Sequence, residues 1–164
     1  MQKLDRVNRI LLCRDAARRL QALACTCGVE VGGFILGYID GDSGVSMCYQ
    51  LGCNVAEHPR IEFLVDPVTT LKVSELADEK GLEVIAVIHT HPSGHAVPSA
   101  RDASGMAVWR VVWVIASCMG ELRAWMLERG GPIREVEVVV EGRDCGPCID
   151  GEVCHSNPCY HLAV

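Results

Sequence analysis

The sequence predicts a mixed α/β fold, one sheet of mixed strand direction flanked by about three helices. Three observations predict it. Short runs rich in Val, Ile and Leu recur along the chain, and Val84-Ile85-Ala86-Val87-Ile88 has the length and composition of a buried strand. Between such runs lie stretches whose apolar residues fall three and four apart, the spacing of helices that cover a sheet. Strand signals outnumber helix signals. The 164 residues, 49% hydrophobic and 22% charged, suffice for one domain with a substantial core.

Taken in order, residues 7–12 read as a first strand, and residues 14–24 as a helix with Ala16, Leu20, Leu23 and Ala24 on one face. Arg14, Arg18 and Arg19 would form its solvated face. Cys27-Gly28 ends that helix and sets Glu30 at the mouth of a strand over 31–39. Asp40-Gly41-Asp42-Ser43-Gly44 is a turn by composition, and 45–51 returns as the second arm of a hairpin. Residues 67–81 read as a helix, with Pro67 in the first turn, Val68, Leu71, Leu76 and Ala77 as the apolar stripe, and Gly81 as the stop. After the strand at 84–88 come a helix over 99–108, paired strands over 109–116 and 122–127 around Met119-Gly120, and a last strand over 133–140. Trp109, Trp113 and Trp125 are read as packing residues.

A formal net charge of −6 argues against nucleic acid as a main partner, because phosphate binding needs a basic face. The opening Met1-Gln2-Lys3-Leu4-Asp5-Arg6 leads into no uninterrupted apolar segment of the secretory kind. The longest apolar stretch, 107–127, is broken by Arg110, Glu121 and Arg123 and is too charged to span a bilayer. The expectation is a cytoplasmic protein with no membrane partner; its oligomeric state is left open.

The chemistry concentrates at 89–102. His89 and His91 stand two apart at the end of the apolar strand, so their side chains share one face and can converge on one point. Asp102 would arrive from the following helix. Two imidazoles and a carboxylate are a normal ligand set for catalytic zinc, with the fourth position left to water. Ser99 with an acid three residues on is also a helix start, a capping box. That cap and the metal site are compatible, and capping alone leaves the two histidines unexplained. His95 is read as a loop residue between the ligands.

The pattern H-T-H-P-S-G-x-x-x-P-S-x-x-D at 89–102 resembles the JAMM signature of the JAB/MPN family of zinc metalloproteases, of the stand-alone prokaryotic or archaeal type. Glu30-Val31-Gly32-Gly33-Phe34-Ile35-Leu36-Gly37 is similar to that family's glutamate-led entry into its first core strand. Asn54, followed by Phe63-Leu64-Val65-Asp66-Pro67, is similar to the segment between that strand and the signature. The resemblance runs from about residue 6 to 140 and implies the JAB/MPN (cytidine-deaminase-like) fold. It implies that His89, His91 and Asp102 hold one zinc ion, that Glu30 is the general base acting on water, and that Ser99 donates to the developing oxyanion. Glu57 and Glu62 compete with Glu30 by charge, but neither sits in an equivalent motif.

The resemblance divides the chain into a JAB/MPN metalloprotease domain, 1–141, and a Cys-rich tail, 142–164. The tail carries Cys145-Gly146-Pro147-Cys148, then Cys154-His155, Cys159 and His161. Its four cysteines could wrap a second, structural zinc or form a pair of disulfides. A thioredoxin-like role for Cys-Gly-Pro-Cys lacks the surrounding pattern. The other six cysteines, Cys13, Cys25, Cys27, Cys48, Cys53 and Cys118, are read as small buried hydrophobes. In a cytosol, bridges would be expected only of a hyperthermophile.

The function implied by the resemblance is hydrolysis of peptide or isopeptide bonds after the C-terminal glycines of ubiquitin or a ubiquitin-like or sulfur-carrier protein. Two other classes compete. One is a non-catalytic MPN scaffold in a larger complex, which five intact site positions argue against. The other is a RadC-like protein, whose signature is similar around His-x-His and Pro-Ser-x-x-Asp; the acidic balance and the Glu30 strand weigh against it. A zinc nucleobase deaminase would need His-x-Glu and Pro-Cys-x-x-Cys, and neither occurs.

Overall fold

The computed structural model describes residues 3–151 and 154–161, the His161 side chain excepted. Seven strands and three helices follow one another: β1 (Arg9–Leu12), α1 (Arg14–Thr26), β2 (Gly32–Asp40), β3 (Ser43–Gly52), α2 (Pro67–Lys80), β4 (Glu83–His91), α3 (Ala100–Val108), β5 (Val112–Ser117), β6 (Leu122–Leu127) and β7 (Ile133–Val140). The sheet is mixed, as expected, but it does not stay open. In the order β1-β3-β2-β4-β5-β6-β7 it closes on itself, because β1 pairs in parallel with both β3 and β7. β2 and β3 form the expected antiparallel hairpin, while β4 and β5 run parallel, with α3 as the crossover between them.

Two apolar cores lie against this sheet. Alternate residues of β2 divide between them: Ile35 packs with Leu20 and Leu23 of α1, and Phe34 and Leu36 pack with Val73 and Ala77 of α2. Along β4 the same alternation puts Val87 among the second group with Met106 of α3 and Trp113 of β5. His89 and His91, two and four residues further on, therefore emerge on the α2–α3 side.

Local chemistry fixes the helices. α2 starts at Asp66, whose carboxylate accepts from the Thr69 N–H at 2.9 Å, and ends at Gly81 with φ 66°. Half of the expected stripe is inward, Ala77 buried and Leu76 packed partly buried against the core, while Val68 and Leu71 are exposed and Thr69 and Val73 take the inward places instead. The Thr69 hydroxyl, buried on that side, donates to Asp66 Oδ1 at 2.7 Å. Residues 109–111, expected to open a strand, instead cap α3. Trp109 donates its N–H to Gly105 O, and its carbonyl accepts from the Trp113 indole at 3.0 Å.

The cysteines overturn their reading as free buried side chains and as zinc ligands. All ten are paired: Cys13–Cys145, Cys25–Cys118, Cys27–Cys159, Cys48–Cys148 and Cys53–Cys154. Each tail cysteine meets a partner from 13–53, so no two tail cysteines join and no tail tetrad remains to hold a second zinc. The bridged residues lie 93 to 132 positions apart, far beyond anything that local spacing reports. The arginines of α1 belong to the same construction: Arg14 pairs with Asp144 at 2.9 Å, and Arg19 donates to the Tyr160 carbonyl at 2.9 Å. Arg14 and Arg19 thus hold the tail, while Arg18 stays exposed as expected. Among the described residues no helix is long and apolar enough to cross a membrane.

Candidate metal centre

β4 delivers the two histidines. It lies between β2 and β5, with His89 opposite Gly32 and Ile115. Gly32 is required there, because a Cβ would collide with the Ile88 carbonyl and with His89 itself. The chain just before β2 is clipped to β4 between the histidines: Val31 N–H donates to the Thr90 hydroxyl at 3.0 Å, and Thr90 N–H donates to Val31 O at 2.9 Å. That clip fixes Glu30 beside His89, with Glu30 Oε1 3.7 Å from His89 Nε2.

α3 delivers the acid. Ser99 caps the helix, its hydroxyl accepting from the Asp102 N–H at 3.1 Å while Asp102 Oδ2 accepts from the Ser99 N–H at 2.9 Å. The cap orients Asp102 so that Oδ1 lies 3.0 Å from His89 Nε2 and Oδ2 lies 3.1 Å from His91 Nε2. The two Nε2 atoms are themselves 3.2 Å apart. Glu30, His89, His91 and Asp102 are all buried, with ligand atoms within 4.8 Å of one another. Ser99 is half-buried beside them. The five residues singled out in the sequence are thus brought to one place.

The donor set fits a divalent cation. His91 Nδ1 lies 2.8 Å from the carbonyl oxygen of His95, so that nitrogen carries a proton and Nε2 is left as the ring atom that would bind a metal. Two imidazole nitrogens and two carboxylates then face one point. The Glu30 Oε1 atom is buried there with no hydrogen-bond partner. Imidazole and carboxylate together suit zinc and its first-row neighbours. Electrostatics agree. Burial works against the Asp102 carboxylate, yet the facing His89 and His91 hold its pKa well below the ordinary range. Burial pushes the Glu30 carboxyl up to about 8, with His91 opposing and Asp102 adding to the rise.

Neighbours lock the ligands. The Phe63 ring stacks on His89 with centroids 5.5 Å apart, and Trp113 meets the same ring edge-on at 5.6 Å. Glu121 Oε1 accepts from the Ala96 N–H at 3.1 Å and lies 3.0 Å from His95 Nδ1, pinning the loop whose carbonyl orients His91. Nothing in the sequence marks Glu121, which is brought to that loop only by the β5–β6 turn. An open cleft of about 180 Å³ leads to the centre, lined by Glu30, Arg60, Ile61, His91, Ser93 and Ser99.

Residues 14–128 match the family described as prokaryotic homologs of the JAB domain. A desampylase of Pyrococcus furiosus is 35% identical over 132 residues, covering 80% of this chain and 91% of its own. A desampylase of Haloferax volcanii is 32% identical over 117 residues, covering 70% and 77%. A probable TtuB-protein conjugate cleaving protease of Thermus thermophilus is 40% identical over 87 residues, covering 53% and 55%. Among solved structures, the solution structure of a Desulfitobacterium hafniense protein superposes with a TM-score of 0.70 at 22% identity, covering 82% of this chain and 94% of that one. At that identity the likeness speaks for the fold alone.

Proposed function

The chain belongs to the prokaryotic JAB-domain family, and from that premise we propose that it is a zinc metalloprotease that cleaves conjugates of a ubiquitin-like or sulfur-carrier protein. The bond would be the peptide or isopeptide bond after the modifier's C-terminal glycines. The observation that carries the chemistry is the convergence of His89 Nε2, His91 Nε2 and both Asp102 oxygens beside a buried Glu30 whose Oε1 has no hydrogen-bond partner. The names of the relatives, two desampylases and a conjugate cleaving protease, support the substrate class.

His89, His91 and Asp102 would hold the ion. Zinc at such a site acts as a Lewis acid and makes water a competent nucleophile near neutral pH. Glu30 Oε1 takes a proton from the attacking water as its oxygen bonds the scissile carbonyl carbon. The same carboxyl then delivers that proton to the leaving amine as the C–N bond breaks. The Ser99 hydroxyl already accepts from the Asp102 N–H, so its own hydrogen is free to donate to the oxyanion that forms in the cleft. The cytoplasmic setting expected from the sequence is compatible with five bridges where intracellular disulfides persist, as in hyperthermophiles.

The test is cleavage of a ubiquitin-like protein that carries a C-terminal extension after its glycines, with Glu30→Gln beside the unaltered protein. Cutting that a chelator stops and Glu30→Gln lacks is the expected result. An intact fold that binds zinc and cuts nothing would overturn the protease reading in favour of a scaffold.

A further inference from the structure

Asn54 lies outside the metal cluster, yet its side-chain amide is saturated by bonds that assemble the cleft wall. Nδ2 donates to the Glu30 carbonyl at 2.9 Å and to the Glu62 carbonyl at 2.7 Å. Oδ1 accepts from the Ala56 N–H at 3.0 Å and the Leu64 N–H at 3.1 Å. The amide therefore stands where a strand's backbone would, closing the loop 55–64 on itself and fastening that loop to Glu30. Backbone bonds run the same way: Val55 N–H to Leu64 O at 2.8 Å, and Glu30 N–H to Pro59 O at 2.7 Å.

What this loop touches gives the amide its importance. Phe63 stacks on His89, Arg60 and Ile61 line the cleft, and Glu62 is ion-paired with Arg101 in the first turn of α3, next to Asp102. One loop thus meets the base, a ligand and the helix that supplies another ligand. It contains no regular helix or strand of its own, apart from the single bridge between Asn54 and Val65 that shuts its base. Its shape depends on the amide at that base.

We propose that Asn54 is a positioning residue for the proposed hydrolysis: its amide sets the 55–64 loop as one wall of the cleft and, through the Glu30 carbonyl, sets the base. The inference rests on the protease reading for its catalytic part and on geometry alone for its loop part. Asn54→Asp is nearly isosteric and keeps an acceptor for Ala56 and Leu64. It replaces the donor by an oxygen facing the Glu30 and Glu62 carbonyls. A misplacement on the ångström scale costs up to about a hundredfold in rate.

The experiment compares the unaltered chain with Asn54→Asp and Asn54→Ala. It measures kcat and KM on the extended ubiquitin-like protein, zinc affinity, and trypsin cleavage after the exposed Arg60, read on a reducing gel. The expected result is a kcat lower by about tenfold or more, zinc affinity unchanged, and cleavage at Arg60 accelerated. Unchanged kcat beside an active unaltered chain, or unchanged protection of Arg60, overturns the proposal. So does failure of both variants to fold, since the amide would then hold the domain rather than the wall. If the unaltered chain cuts nothing, the protease reading fails on its own, and trypsin sensitivity still decides the loop.

Discussion

Replacing Glu30 by Gln should make the metal-free protein more stable in alkaline solution, the opposite of the usual effect of altering a buried site. The Glu30 side chain is only 6% exposed, and Oε1 has no hydrogen-bond partner. Burial lifts its folded pKa to about 8, against an ordinary 4.5. Between those values the unfolded chain has lost the proton that the folded chain keeps, so stability falls as pH rises through the window. At about 1.4 kcal/mol per pH unit, the loss reaches a ceiling of about 5 kcal/mol by pH 8, and relaxation of the site reduces it to a few. The amide of Gln carries no charge and escapes this loss. Urea unfolding of chelator-treated protein, disulfides intact, should give equal midpoints for the two proteins near pH 4 and a higher midpoint for Glu30→Gln at pH 8. Curves that coincide from pH 4 to pH 9 would show that Glu30 ionises freely in the folded, metal-free protein and would refute the argument that burial keeps its carboxyl protonated.

Other consequences can be checked directly. The chain should bind one zinc ion, with no free thiols under non-reducing denaturation, and Asp102→Asn should bind none while keeping its α3 cap; metal analysis and thiol titration decide both. Replacing Cys53 and Cys154 together by Ser should lower stability by about 2–4 kcal/mol, read as a denaturant midpoint shift. Glu121 is held below its ordinary 4.5 by the Ala96 N–H first and His95 next. Its contribution is complete above 4.5 and lost as pH falls through the lower folded value, so the protection of the Ala96 amide should fall on acidification, its exchange slowing less than the intrinsic rate does.

Much of this molecule could be read from local sequence because local physics decides it. The two-residue repeat puts His89 and His91 on one face, and the Ser99–Asp102 cap forms within a single helical turn; neither depends on distant parts of the chain. The hairpin of β2 and β3 and the Pro67 and Gly81 limits of α2 are local in the same sense. Long-range matters were hidden. The closing pair β1–β7 joins residues such as Arg9 and Glu137, and no local pattern encodes it. Half of the α2 face was misread because Val68 and Leu71 are as apolar as Val73, and only packing against the distant strands β2 and β4 tells them apart. The cysteines misled most, since apolar neighbours suit a buried thiol and half of a bridge equally well. Glu121 was silent because a surface glutamate in a turn is ordinary until a particular loop meets it.

The bridges make the chain a closed circuit for proteolysis. Cys13–Cys145 and Cys27–Cys159 overlap, so every peptide bond from 13 to 159 is spanned by at least one of them. A single nick anywhere in that interval, including one in the exposed 55–64 loop, leaves both fragments covalently joined. A clipped molecule would run at full size until reduced, and damage that severs an ordinary chain would leave this one in a single piece around its metal ligands.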